Sequence, residues 1–190
     1  LIMRSFDDDV RRFVDQEMRK QGIEMNYQSQ VSNVDRQADH SLLVTFADGT
    51  STEVDQVLMA IGRKPRLTGI GLEALGIETT RQGTIAVNDK FQTNIDNIYA
   101  LGDVTGGIEL TPVALAEAMT LVNHWYGDST KYMDYNLIPT AVFTQPNVGT
   151  IGLTEHQALK EHGEITVYRS DFKPMKHTLS GSNDRSFMKL

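Results

Sequence analysis

The chain has 190 residues, 39% of them hydrophobic, with 18 Lys and Arg against 25 Asp and Glu and a formal net charge of -7. That balance excludes a nucleic-acid surface, which needs clustered Lys and Arg to neutralise phosphates, and no run approaches the about 18 apolar residues of a membrane span. With no cysteine, disulfides, thiolate metal sites and cysteine nucleophiles are excluded from these residues. The five histidines show no HxH or HxxxH spacing, so they read as surface or capping residues and no metal site is expected. No basic-then-apolar leader opens the chain, and a soluble, cytoplasmic protein is expected.

From Asp7 to about Lys20, Val10, Phe13, Val14 and Met18 fall on one helical face, with acids at the start and Arg19 and Lys20 near the end. This complements the helix dipole, and Gly22 supplies the stop. Extended pieces are expected at residues 24–27, 30–34, 42–46 and 52–54, the last two joined by an Asp48–Gly49 hairpin turn, and then a buried strand at 56–61. The Gly62-Arg63-Lys64-Pro65 stretch and the glycines that follow mark a crossing into a new region. There, strands are expected at 84–87 and 97–101, and a helix from Thr111-Pro112 to Trp125, with Thr as N-cap and Pro in the first turn. Beyond a linker at 127–130, the pattern predicts strands at 140–143, 148–151, 165–171 and 187–190. A helix opens at Thr154, with Gln157 completing a capping box. Apolar residues at both ends predict an interior piece of a larger protein.

Four stretches carry chemistry. In TNIDNIYALGDVTG (residues 93–106) an apolar strand ends in Gly102, which lets a ligand approach the backbone. Asp103 follows, able to accept a hydrogen bond from a sugar-like hydroxyl. Alone, this Gly-Asp reads as a turn; what strengthens it is ELTPVALAEA (residues 109–118), where a helix start at Thr111 offers free N–H groups and a positive dipole end to an electron-rich ring or anion. VLMAIGRKP (residues 57–65) ends a strand in Gly62, with Arg63 offering a planar donor fork to phosphate, although by itself Arg63 reads as a solvated loop residue. Arg4, in MRSFD (residues 3–7), stands just before a helix, where a lone arginine is otherwise only a surface charge.

Residues 93–118 closely resemble the second FAD motif of the glutathione reductase family of pyridine-nucleotide disulfide oxidoreductases. Residues 57–65 look like that family's AIGRxP strand end, residues 3–7 like its LRSFD segment, and residues 138–146, 149–155, 172–181 and 188–190 like its carboxyl-terminal interface domain. The resemblance implies that Asp103, after Gly102, binds the flavin ribityl chain and that Thr111 faces the flavin pyrimidine through its backbone. It implies further cofactor contacts from Glu109, Leu110 and Ala141. Gly62 and Arg63 would lie beside the nicotinamide nucleotide, and Arg4 would grip the 2'-phosphate of NADPH.

The expected fold is α/β and α+β. It comprises the distal part of a Rossmann-like NADPH domain (1–62), the second segment of an FAD domain (63–132) and the start of a dimerisation domain (133–190). The implied parent is an NADPH-dependent flavoprotein that reduces glutathione disulfide and forms a homodimer, with FAD and NADPH as cofactors. The chain holds no GxGxxG diphosphate loop and no CxxxxC redox pair, so no catalytic residue is expected in it, since thiolate attack on a disulfide has no substitute. The family's LTPVA pattern at 110–114 favours glutathione or trypanothione as the thiol. Met119 departs from the substrate-pairing arginine of some glutathione reductases. A trypanothione- or lipoamide-type reductase, or a free-standing nucleotide-binding or dimerisation module without redox chemistry, are the alternatives.

Overall fold

Charge placement starts the first helix, and the computed structural model, which describes all residues 1–190, shows how. In α1 (Asp8–Lys20) the Asp7 side chain caps the free amides by accepting from Asp9 N–H at 3.0 Å, with Asp8 and Asp9 in the first turn and Arg19 and Lys20 in the last. Val14 is 1% exposed, and Phe13 stacks on Phe187 at 5.3 Å between ring centroids. Of the expected apolar face of α1, Val14 is buried and Val10, Phe13 and Met18 are half-buried.

The chain divides into two units, Leu1–Met59 with Pro139–Leu190, and Ala60–Ile138. In the first, β1 (Val31–Arg36), β2 (Leu42–Phe46) and β3 (Ser51–Val54) form an antiparallel sheet in sequence order, with an irregularity between Val31 and Asn33. Asp48 and Gly49 make the expected turn between β2 and β3, Asp48 accepting from Thr50 N–H at 2.9 Å. Val44, at the centre of β2, is buried while every residue of β1 is exposed. The later segment adds the antiparallel pairs β4 (Thr140–Val142) with β5 (Val148–Thr150) and β6 (Arg169–Phe172) with β7 (Ser186–Lys189). Helix α4 (Glu155–His162) opens on a complete Thr154–Gln157 capping box.

The second unit contains the short α2 (Leu72–Leu75), a 3-10 turn over Gly102–Thr105, and α3 (Thr111–Tyr126); α4 (Glu155–His162) and the short α5 (His177–Ser180) belong to the first. Ile77, Ile85, Phe91, Val113 and Leu121 are its buried apolar residues. Trp125 packs edge-on to Tyr99 at 4.8 Å, holding the end of α3 on the segment that leads to Gly102.

Several expected strands do not form. Residues 56–61 are not a strand and are not buried: Leu58 is 90% and Ile61 86% exposed. The reason is pairing, since the sheet ends at β3 and no strand of the chain runs beside this apolar run. Residues 84–87 and 97–101 make only single bridges, Ile85 to Thr79 and Tyr99 to Gln92, and 24–27 makes none. Leu110, not Thr111, occupies the N-cap of α3. All the sheets are antiparallel, and the whole is mixed α/β. No helix is long and apolar enough to cross a membrane.

Candidate cofactor-binding site

The chain reaches Asp103 through an extended Leu101 and a Gly102 with φ +72°, a left-handed conformation that an L side chain adopts only under strain. A Cβ on Gly102 would also meet the Ala114 Cβ of α3 at 3.1 Å. Glycine therefore lets the turn lie close against the helix. Thr105 Oγ1 donates to Gly102 O at 2.8 Å and closes the turn. The carboxylate of Asp103 is thereby presented at the surface, with its side chain 46% exposed, and Arg63 Nη2 donates to its Oδ2 at 3.1 Å. Such an exposed pair contributes at most about 1 kcal/mol, so both partners remain open to a competing ligand.

Behind the turn lies a residue that sequence reasoning passed over. Glu117, 3% exposed, accepts Gly102 N–H on Oε2 at 2.6 Å and Tyr135 O–H on Oε1 at 2.8 Å. Burial, together with this carboxylate, pushes the Tyr135 phenol well above its ordinary value. Glu117 thus ties α3, the Gly102 turn and the segment after α3 into one arrangement. The signal was available: Glu117 falls four residues from both Val113 and Leu121, the buried residues of α3. An acid on that stripe must have partners.

The start of α3 is open. Its N-cap, Leu110, offers no side-chain hydrogen bond, Pro112 stands in the first turn, and Glu109 and Thr111 are exposed. Pro112 has no N–H, and the Leu110 and Val113 amides donate to Ile108 O at 2.8 Å and Leu110 O at 2.9 Å, so Thr111 N–H is the donor left open at an end that carries partial positive charge. Eight residues after Asp103, this arrangement suits a ligand with both hydroxyls and an electron-rich ring. Gly62, exposed with φ +138°, immediately precedes Arg63.

Seven of the nine candidate residues, Gly62, Arg63, Gly102, Asp103, Glu109, Leu110 and Thr111, belong to the second unit; Arg4 and Ala141 belong to the first. Ala141 is exposed in β4 opposite Gly149. Arg4 is exposed on a turn closed by Phe6 N–H to Met3 O at 2.9 Å. Arg11 braces the approach to that turn, donating to Ile2 O at 2.8 Å and Leu1 O at 3.0 Å. No group of three or more His, Cys, Asp or Glu is arranged to hold a metal ion.

Residues 1–118 match the family model described as pyridine nucleotide-disulphide oxidoreductase, and residues 138–190 match its dimerisation domain. The chain belongs to the pyridine nucleotide-disulphide oxidoreductase family. This family, with its glutathione reductase members, uses FAD and NADPH. The chain is 40% identical over 189 residues to the chloroplastic/mitochondrial glutathione reductase of Pisum sativum, covering 100% of this chain and 34% of the relative. It is 39% identical over 187 residues to trypanothione reductase of Trypanosoma congolense, covering 98% and 38%. It is 35% identical over 189 residues to glutathione reductase of Burkholderia cepacia, covering 100% and 42%. The fold matches the HOCl-induced flavoprotein disulfide reductase RclA of Escherichia coli with a TM-score of 0.89 at 25% identity, covering 100% of this chain and 43% of that one. The chain thus spans roughly two-fifths of the length of the curated relatives it matches. The residues present fit the family's flavin: Glu117 of α3 holds the glycine turn that presents the Asp103 carboxylate, and the same helix opens without a side-chain cap.

Proposed function

We propose that these residues are the cofactor-binding segment of an NADPH-dependent flavoprotein disulfide reductase whose substrate is glutathione disulfide. The observation that carries the reading is the Gly102–Asp103 turn anchored to α3 through Glu117, with the α3 amino end left uncapped. Asp103 accepts a hydroxyl of the flavin ribityl chain, and the α3 end at Thr111 faces the flavin pyrimidine, where its positive dipole favours the charge of the reduced ring. Glu109, Leu110 and Ala141 add cofactor contacts. Gly62 and Arg63 sit beside the nicotinamide nucleotide, and Arg4 reads the 2'-phosphate that separates NADPH from NADH. When bound, the flavin passes the reducing equivalents of NADPH toward a disulfide. The chain has no cysteine, so its residues bind and orient cofactors and none is assigned as catalytic.

In this reading residues 1–62 belong to the NADPH domain, 63–132 to the FAD domain and 133–190 to the dimerisation domain of a cytoplasmic homodimer. Exposed apolar side chains such as Leu58, Ile61, Phe143 and Leu179 suit a segment that packs against further protein. A trypanothione-type substrate is the second reading, favoured by the Trypanosoma congolense relative and by Met119, whose exposed side chain on α3 cannot pair a substrate carboxylate.

The test is turnover by the full-length protein with NADPH. Glutathione disulfide should be reduced with a kcat/KM at least about tenfold above that for trypanothione disulfide or lipoamide, the discrimination that one mispaired polar contact produces. The opposite order would replace glutathione with the preferred disulfide.

A further inference from the structure

In the cleft that also holds Arg4, the starts of α1 and α4 meet at one ammonium group. Lys189 Nζ, on β7, donates to Asp7 Oδ1 at 2.7 Å, Asp9 Oδ2 at 2.7 Å and Glu155 Oε2 at 2.6 Å, with its side chain only 10% exposed. Arg169, on β6, donates to the same Asp9 and Glu155 oxygens at 2.6 Å. Asp7 Oδ2 accepts Glu155 N–H at 2.9 Å, joining the start of α4 to the start of α1. Three carboxylates in such proximity repel unless the two cations hold them. Arg4, Asp7, Asp9, Glu155, Arg169 and Lys189 all line one cleft of about 640 Å³.

We infer that Lys189 is a positioning residue for NADPH selectivity, fixing the cap of α1 and with it the Arg4 turn three residues upstream. The inference rests on the assignment of Arg4 to the 2'-phosphate. Two physical effects act in the same direction. Without the ammonium, Asp7 loses a fixed partner, so the α1 cap and the Met3–Phe6 turn lose their common anchor. The uncompensated carboxylates also turn the cleft more negative, which disfavours a phosphate beside Arg4 and acts less on a ligand whose phosphate lies farther away. Arg169 supports the same carboxylates from a more exposed position, its side chain 45% exposed.

The experiment compares binding of 2',5'-ADP and 5'-AMP to the full-length protein by calorimetry, so that no turnover is needed. Arg4→Ala should weaken 2',5'-ADP about 10–100-fold and leave 5'-AMP unchanged, the loss expected for a charge-assisted contact. Lys189→Met should weaken 2',5'-ADP about 5–20-fold and 5'-AMP less than about twofold, and Lys189→Arg should restore most of the loss. Arg169→Gln should act in the same direction by about two- to threefold, and it keeps the question answerable if Lys189→Met does not fold. Equal weakening of both ligands, or no effect of Lys189→Met and Arg169→Gln beside a selective Arg4→Ala, overturns the positioning role alone. An Arg4→Ala variant that does not discriminate the two ligands overturns the assignment of Arg4, and the inference with it.

Discussion

Arg63 Nη2 lies 3.1 Å from Asp103 Oδ2, across 40 residues of sequence. The pair joins the residue proposed for the nicotinamide nucleotide to the one proposed for the flavin ribityl chain. Both side chains are largely solvent-exposed, at 73% and 46%, so the pair holds little of the fold together. Asp103→Asn should therefore change the unfolding free energy of the flavin-free protein by less than about 1 kcal/mol. It should weaken FAD about 10–100-fold, the cost of a lost charge-assisted hydrogen bond. Thermal melts and flavin titration of the same variant separate the two effects.

Glu117 should behave in the opposite way. Glu117→Ala leaves both Gly102 N–H and Tyr135 O–H without their acceptor, and should destabilise the protein by about 2–4 kcal/mol while also weakening FAD. Glu117→Gln keeps an acceptor and should cost about half as much. Denaturant melts of the two variants decide, and equal losses would mean that the charge, rather than the hydrogen bonds, holds the turn.

Gly102→Ala adds a methyl 3.1 Å from Ala114 Cβ at a φ of +72°. The expected destabilisation is about 1–2 kcal/mol from the left-handed backbone, with a loss of flavin affinity as the turn moves off α3. A variant with unaltered stability and flavin content would contradict the close approach of turn and helix.

The Lys189 cluster sets a pH dependence. Hydrogen bonds from Lys189 and Arg169 hold the Asp9 carboxyl below its ordinary value of 3.8. Burial pushes Asp7 upward, but Lys189 and the N–H groups of Glu155 and Asp9 outweigh it and hold this carboxyl below its ordinary value too. Burial opposes the charge on Lys189, and the three carboxylates outweigh it and raise the ammonium above its ordinary 10.5. Depressed carboxylates contribute stability above their unfolded value of about 3.9, and lose it as pH falls through their lower folded values. The raised lysine contributes below about 10.4 and loses it as pH rises through its folded value. The stability gap between the unsubstituted protein and Lys189→Met should be flat between those limits, at about 3 kcal/mol for breaking a mostly buried pair. It should shrink in stronger acid, as denaturant midpoints across pH will show. A gap that persists unchanged there would contradict the cluster.

What the sequence made legible were the features decided locally. The amphipathic α1 with its acidic start, the Asp48–Gly49 turn, the Thr154–Gln157 capping box and the turn-then-helix order around Gly102 and Thr111 each follow from a few adjacent residues. Partner-dependent features were not legible. An apolar run such as 56–61 becomes a strand only where another strand runs beside it, and Leu58 and Ile61 have none here. Lys189 gives no local sign that its partners lie 34, 180 and 182 residues away. The Arg63–Asp103 pair was likewise invisible, since each residue belonged to a separate motif. Glu117 lay between these cases, its burial implied by helical spacing and its partners not.

Flavin content is the measurement that tests the central claim most directly. The full-length protein, purified without added cofactor, should show the visible flavin band, and NADPH should bleach it anaerobically, whereas Asp103→Asn should lose the flavin on dilution. Full-length protein that is folded yet neither carries nor takes up flavin would contradict the assignment of the Gly102–Asp103 turn and α3 as a flavin site.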